Sequence, residues 1–140
     1  MCGRVTVAPQ RMQRLTINKN ERNKLLKELA MAGVLAYHGY NVHLVEEDPR
    51  RGSYDALVDG IPADFKRTAS HNNIKKYVHK AIYLQKAKII VFQLDNDTPL
   101  IHRALLQAAD KGAQIIYYFT DRLTEVFCIN KTTPKESGAE

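Results

Sequence analysis

In Tyr54-Asp55-Ala56-Leu57-Val58-Asp59-Gly60-Ile61-Pro62-Ala63-Asp64-Phe65-Lys66, two short apolar runs flank Asp59-Gly60, a dipeptide that favours a tight turn. A two-residue loop there pairs Val58 with Ile61 and, stepping outward, sets Asp55 opposite Asp64. Lys66 lies on the face of Asp64, because strand side chains repeat every second position. Pro62 cannot donate to a ladder, so a longer loop with a register moved by two residues stays open; the aspartates share a face either way. Two carboxylates side by side repel, and like charges opposite each other weaken a sheet. A divalent cation held by their oxygens removes that penalty. A lysine beside such a cation suits a nucleophile or a charged phosphate. The plain structural alternative is a surface hairpin with one polar face.

At 140 residues the chain is long enough for one domain with a real core. Its 44% apolar and 26% charged content is that of an ordinary globular protein, and no apolar run approaches the ~20 residues of a membrane span. The N-terminus lacks the apolar core of a signal peptide. Cys2 and Cys128 stand near opposite ends, which makes neither a disulfide framework nor a zinc site and fits a reducing, cytoplasmic setting. The net charge of +6 favours an anionic partner, nucleic acid being the commonest.

Residues 1–18 are basic and lack a period, which predicts a loosely ordered arm; 131–140 read as a disordered tail, leaving 19–130 as the domain. A first helix is predicted over Asn20–Ala36, closed by Gly39. Its apolar stripe is Leu25, Leu29, Ala32, Leu35 and Ala36, with Glu28 at the stripe's edge. A carboxylate turned toward the core needs a partner, and a nearby lysine is the simple candidate. Asn41–Glu47 reads as a strand and Asp48–Ser53 as a loop. After the hairpin, a helix from Ser70 or His71 to Lys86 turns Ile74, Val78, Ala81, Ile82 and Gln85 inward. Lys75, Lys76, His79 and Lys80 fill the other side, either a solvated face or a track for a phosphate backbone, with Arg67 near it. Ala87–Leu94 is a doubly covered strand. Asp97-Thr98-Pro99 starts a helix that stops at Lys111-Gly112, with Ile101, Leu105, Ala108 and Ala109 inward. Gln114–Phe119 and Leu123–Ile129 complete the strands. The fold class is α/β, a mixed central sheet flanked by helices, in the order α-β-β-β-α-β-α-β-β.

An acid on the second strand, followed by an acid-x-lysine triplet on the third, resembles the PD-(D/E)xK nuclease superfamily and its restriction-endonuclease-like core. Asp55 matches the first acid and Asp64-Phe65-Lys66 the triplet; Tyr54 replaces the name-giving proline. Glu28 matches the glutamate that many members add from the first helix, and Gln85 the glutamine that some place on the helix after the triplet. The phrasing is similar to the toxin-like nuclease domains of bacterial contact-dependent inhibition proteins and some phage head proteins: Gly39-Tyr40-Asn41-Val42, the Asp-Ala-Leu-x-Asp-Gly hairpin, Asp64-Phe65-Lys66, a lysine-rich helix and Gln85-Lys86-Ala87. This resemblance implies a Mg²⁺- or Mn²⁺-dependent phosphodiester hydrolase acting on DNA or RNA, tRNA included. Asp55, Asp64, the Phe65 carbonyl and Glu28 are its implied metal ligands, Lys66 and Gln85 its further catalytic residues, and an immunity protein its partner if the chain is toxin-derived.

Two other readings follow from the residues. His71 and His79 suit general acid catalysis in a metal-free ribonuclease. The dispersed histidines lack HxH or HExxH spacing and do not suggest zinc. A non-catalytic basic module that binds nucleic acid is the second.

Overall fold

The structure, a computed structural model, describes residues 2–13, 19–46 and 53–130. A seven-stranded sheet runs through it in sequence order: β1 (Val5–Val7), β2 (Val42–Leu44), β3 (Ala56–Val58), β4 (Ile61–Thr68), β5 (Ile89–Leu94), β6 (Gln114–Phe119) and β7 (Arg122–Ile129). Strands β1 and β2 are parallel, as are β4, β5 and β6; the β2–β3, β3–β4 and β6–β7 pairs are antiparallel. The sheet is therefore mixed, as its sequence pattern predicts.

Helix α2 (Lys19–Tyr37) packs on one face, burying Leu25, Ala32 and Leu35 against Val42, Leu44, Val91 and Ile116. Helices α3 (His71–Tyr83) and α4 (Pro99–Ala109) cover the other, where Ile74, Val78, Ile101 and Leu105 meet Ile90, Phe92 and Ile115. Both are crossovers between neighbouring parallel strands. Strand β5 is buried on both faces, which is why Ile89–Leu94 shows no alternation.

Local signals place the ends. Ser70 accepts a hydrogen bond from Asn72 N–H, and Thr98 accepts one from Ile101 N–H with Pro99 in the first turn. Such caps contribute about 1 kcal/mol each. At the end of α2, Gly39 takes φ 101° while Tyr40 N–H reaches back to Leu35 O at 3.1 Å, a glycine-closed helix end. Asp59 (φ 49°) and Gly60 (φ 83°) form the predicted two-residue turn, with Val58 opposite Ile61 and Leu57 opposite Pro62. Pro62 sits where the ladder asks for no donor.

The N-terminal segment departs from its prediction. Instead of a loosely ordered arm, residues 2–13 carry β1 and a short helix, α1 (Pro9–Gln13). Gly3 N–H donates to Ala36 O at 2.6 Å, and a Cβ on Gly3 would stand 1.8 Å from Tyr40 O, so only glycine fits that approach. The element order is thus the predicted one with a strand and a helix added in front. The second helix also ends at Tyr83, three residues early, with Lys86 at φ 63°. The predicted tail at 131–140, residues 14–18 of the arm and most of the predicted 48–53 loop lie outside the described residues. No helix among the described residues is long and apolar enough to cross a membrane.

Candidate active site

Strand β3 pairs with β4 only as far as Ala56 opposite Ala63. Strand β4 continues to Thr68 along β5, so among the described residues nothing pairs with its other edge beyond Ala63. At this fork Asp55 N–H also turns to Ala63 O, at 2.9 Å, setting Asp55 and Ala56 against one residue in the manner of a bulge. The predicted face-to-face pairing of Asp55 with Asp64 is therefore corrected: the ladder ends one step earlier. The Asp55 carboxylate instead accepts Phe65 N–H at 2.8 Å, taking the place of the missing strand.

The two carboxylates still meet. Asp64 is fully buried, and neither of its oxygens makes a well-aligned hydrogen bond among the described residues. Lys66 Nζ stands 3.0 Å from Asp64 Oδ2, an ion-pair contact outside hydrogen-bond alignment. Burial, the charge of Asp55 and a hydrogen bond to Asp55 push the Asp64 carboxyl up to about 8, and Lys66 pulls the other way. A carboxyl this buried beside a second acid is only partly compensated by one ammonium, and a proton or a further cation relieves the rest. Lys66 is also placed over the Tyr77 ring of α3, 5.5 Å from its centroid.

Glu28 is buried on α2, and its hydrogen-bonded partner is an arginine, with Lys24 adding a weaker charge effect. Arg11 of α1, itself 6% exposed, contacts Glu28 Oε1 at 2.6 Å and Val45 O at 3.3 Å. Burial and Asp55 push Glu28 up to about 7, while Arg11 and Lys24 oppose this. The short contact with a permanently charged guanidinium accommodates the ionised carboxylate. Arg11 went unread in the sequence, although an inward-turned Glu28 asked for a partner.

A cleft of about 270 Å³ opens at the fork, lined by Lys24, Lys27, Glu28, Asp55, Lys66 and Arg67 among others. Gln85 borders it too, with a buried Oε1 that has no partner. It does so from the bend after α3, not from the helix as predicted, because the helix is capped at Leu84. Lys75, Lys76, His79 and Lys80 are exposed on α3 and do not line the cleft. His79 packs against Tyr83, ring centroids 4.6 Å apart, and His71 opens α3; neither borders the acids. Among the described residues no group of three or more His, Cys, Asp or Glu side chains is gathered tightly enough to hold a metal, so Glu28 is not drawn into the aspartate pair. The pair fits Mg²⁺ or Mn²⁺ nonetheless, since Mg²⁺ is commonly held by one or two carboxylates with water and substrate phosphate completing its shell.

A chain of the CdiA-CT/CdiI toxin and immunity complex from Burkholderia pseudomallei has this fold. The match has a TM-score of 0.65 at 18% identity and covers 89% of this chain and 98% of that one. The α/β architecture is thus that of a chain in a toxin–immunity pair. No protein-family model and no curated protein sequence matches the chain significantly.

Proposed function

We propose that this protein is a toxin-type nuclease that hydrolyses phosphodiester bonds of nucleic acid at a PD-(D/E)xK-like site, with Mg²⁺ or Mn²⁺ held by Asp55, Asp64 and the Phe65 carbonyl. The observation that carries the reading is the buried Asp64 carboxyl, which makes no well-aligned hydrogen bond and stands beside a second aspartate and, at 3.0 Å, a lysine. The cation, when bound, supplies Lewis acidity, offsetting charge on the phosphate and acidifying water. The chain's own groups do the rest. Asp55 holds the edge of β4 open by capping Phe65 N–H, which keeps Asp64 and Lys66 at the fork. Lys66, only 18% exposed and steadied by Tyr77, meets charge that develops on the phosphate where little water competes. Gln85 Oε1 is an acceptor free to orient an attacking water. Glu28, tied to Arg11, adds negative potential beside the pair rather than a ligand.

The toxin–immunity likeness supports an immunity protein as the partner that keeps such an activity in check. The histidine-based alternative is disfavoured, because His71 and His79 lie away from the cleft. Incubation with duplex DNA, single-stranded DNA and total tRNA, each with Mg²⁺, Mn²⁺ or EDTA, tests the proposal. Cleavage of at least one substrate is expected with metal and none with EDTA. Cleavage that persists in EDTA, or no cleavage of any of them, counts against it.

A further inference from the structure

The cations that enter the cleft are not the lysines of α3. Lys24 and Lys27 are one turn apart on α2, ~5–6 Å between their Cβ atoms, and both line the opening. Arg67 joins them from β4, on the α2 side of the sheet with Phe65, since it alternates with Lys66. Its guanidinium is not loose. Nε donates to Asp95 Oδ1 and Oδ2 at 3.0 and 3.1 Å, and Nη2 lies 3.0 Å from Oδ1. Asp95 is fixed in turn by the Thr120 hydroxyl, which takes a hydrogen bond from Gln93 Nε2 at 3.0 Å, and Gln93 Oε1 accepts Tyr118 O–H at 3.0 Å. Arg67, Gln93 and Tyr118 stand in register across β4, β5 and β6, so this chain crosses three strands to pin one arginine. Its Nη1 has no partner among the described residues.

We infer that Lys24, Lys27 and Arg67 form the phosphate track of the site: they hold the nucleic-acid backbone beside the reacting phosphate, along the α2 wall, with Asp95 positioning Arg67. The inference rests on the phosphodiesterase reading and names the substrate-binding wall of that same site. The cleft, about 270 Å³, has room for a phosphodiester linkage beside these cations. An anchored arginine presenting its remaining N–H groups suits phosphate oxygens, which accept such donors in fixed directions. The α3 lysines do not line the cleft; of them Lys76 comes nearest, its Nζ 5.9 Å from the centroid of the Tyr77 ring that Lys66 also meets.

The test is binding, not turnover. A short fluorescent oligonucleotide of mixed sequence, as RNA and as DNA, is titrated in EDTA across a range of salt concentrations. Its partners are the full chain, the Lys24→Gln/Lys27→Gln variant, Arg67→Gln, Asp95→Asn and a Lys75→Gln/Lys76→Gln/Lys80→Gln comparison. The α2 double variant is expected to bind roughly tenfold more weakly and to lose ~1.4 from the slope of log K against log salt, ~0.7 per lost single-strand phosphate contact. Arg67→Gln should weaken binding by a similar factor. Asp95→Asn should weaken it about threefold, and only when Arg67 is present. A loss carried by the α3 triple variant instead, or by neither set, overturns the track; the latter result points to an anionic protein on this wall. If the track is right but the nuclease reading wrong, the α2 loss appears while metal-dependent cleavage does not. If the nuclease reading is right but the track wrong, the α2 double variant binds and cleaves like the parent.

Discussion

Asp64→Asn is expected to abolish cleavage and, without metal, to make the protein more stable, by more at pH 8 than at pH 5. Asp64 in the folded chain keeps its proton up to about pH 8, against 3.8 for an ordinary aspartate. Between those limits the folded state binds a proton that the unfolded chain has released, so stability falls as pH rises through the window. Glu28, raised from 4.5 to about 7, adds to the same slope. At pH 5 the amide is an isostere of the protonated acid and can donate to Asp55 as that acid does. At pH 8 it removes the cost of ionising a buried carboxyl beside a second acid. A gain of roughly 5 °C in melting temperature at pH 8, from ~1–2 kcal/mol, is the expected size. Thermal melts of both proteins in EDTA at the two pH values check it. A variant that is destabilised equally at both would mean that Asp64 is an ordinary structural acid.

Arg11→Met should produce a large loss of stability. Arg11 and Glu28 are each 6% exposed and 2.6 Å apart, so deleting the cation strands a buried carboxylate. Breaking such a pair from one side costs about 3–5 kcal/mol, whereas replacing both partners by apolar groups is close to neutral. The loss should be smaller at pH 5 than at pH 8, because the stranded Glu28 relieves it by taking up a proton. Arg11→Met/Glu28→Met should recover most of it. Urea melts of the two single variants and the double variant supply the coupling energy. A single-variant loss under ~1 kcal/mol, or a double variant as weak as the sum of the singles, would show that α1 is not held through this pair.

Those two residues mark the division between what sequence pattern carries and what it does not. The Asp59-Gly60 turn, the inward faces of α2 and α4 and the doubly buried β5 follow from local periodicity and turn chemistry, and each stands where its pattern puts it. Strand β1 is three residues long and is made by parallel pairing with β2, 37 residues on; nothing local in Val5-Thr6-Val7 announces it. Arg11 is buried only because α1 lies over Glu28, and an arginine in a basic segment reads as solvated. Gln85 falls in helical phase with Ile74 and Ala81, yet the helix is already closed by Leu84, with Lys86 in a left-handed conformation and no glycine to signal it. Lys24 and Lys27 are on the solvent side of the α2 helical wheel; they become cleft residues only because β3 leaves β4 beneath them. The acid-x-lysine triplet was readable because a strand's alternation keeps Asp64 and Lys66 on one side. The bulge that re-aims Asp55 is a backbone event that alternation does not encode.

Calorimetric titration of Mn²⁺ into the metal-free protein at neutral pH, in parallel with Asp64→Asn, tests most directly whether the aspartate fork is a cation site. One saturable binding event in the parent protein, absent from the variant, is the predicted result. Identical heats in both, or none in either, would contradict it.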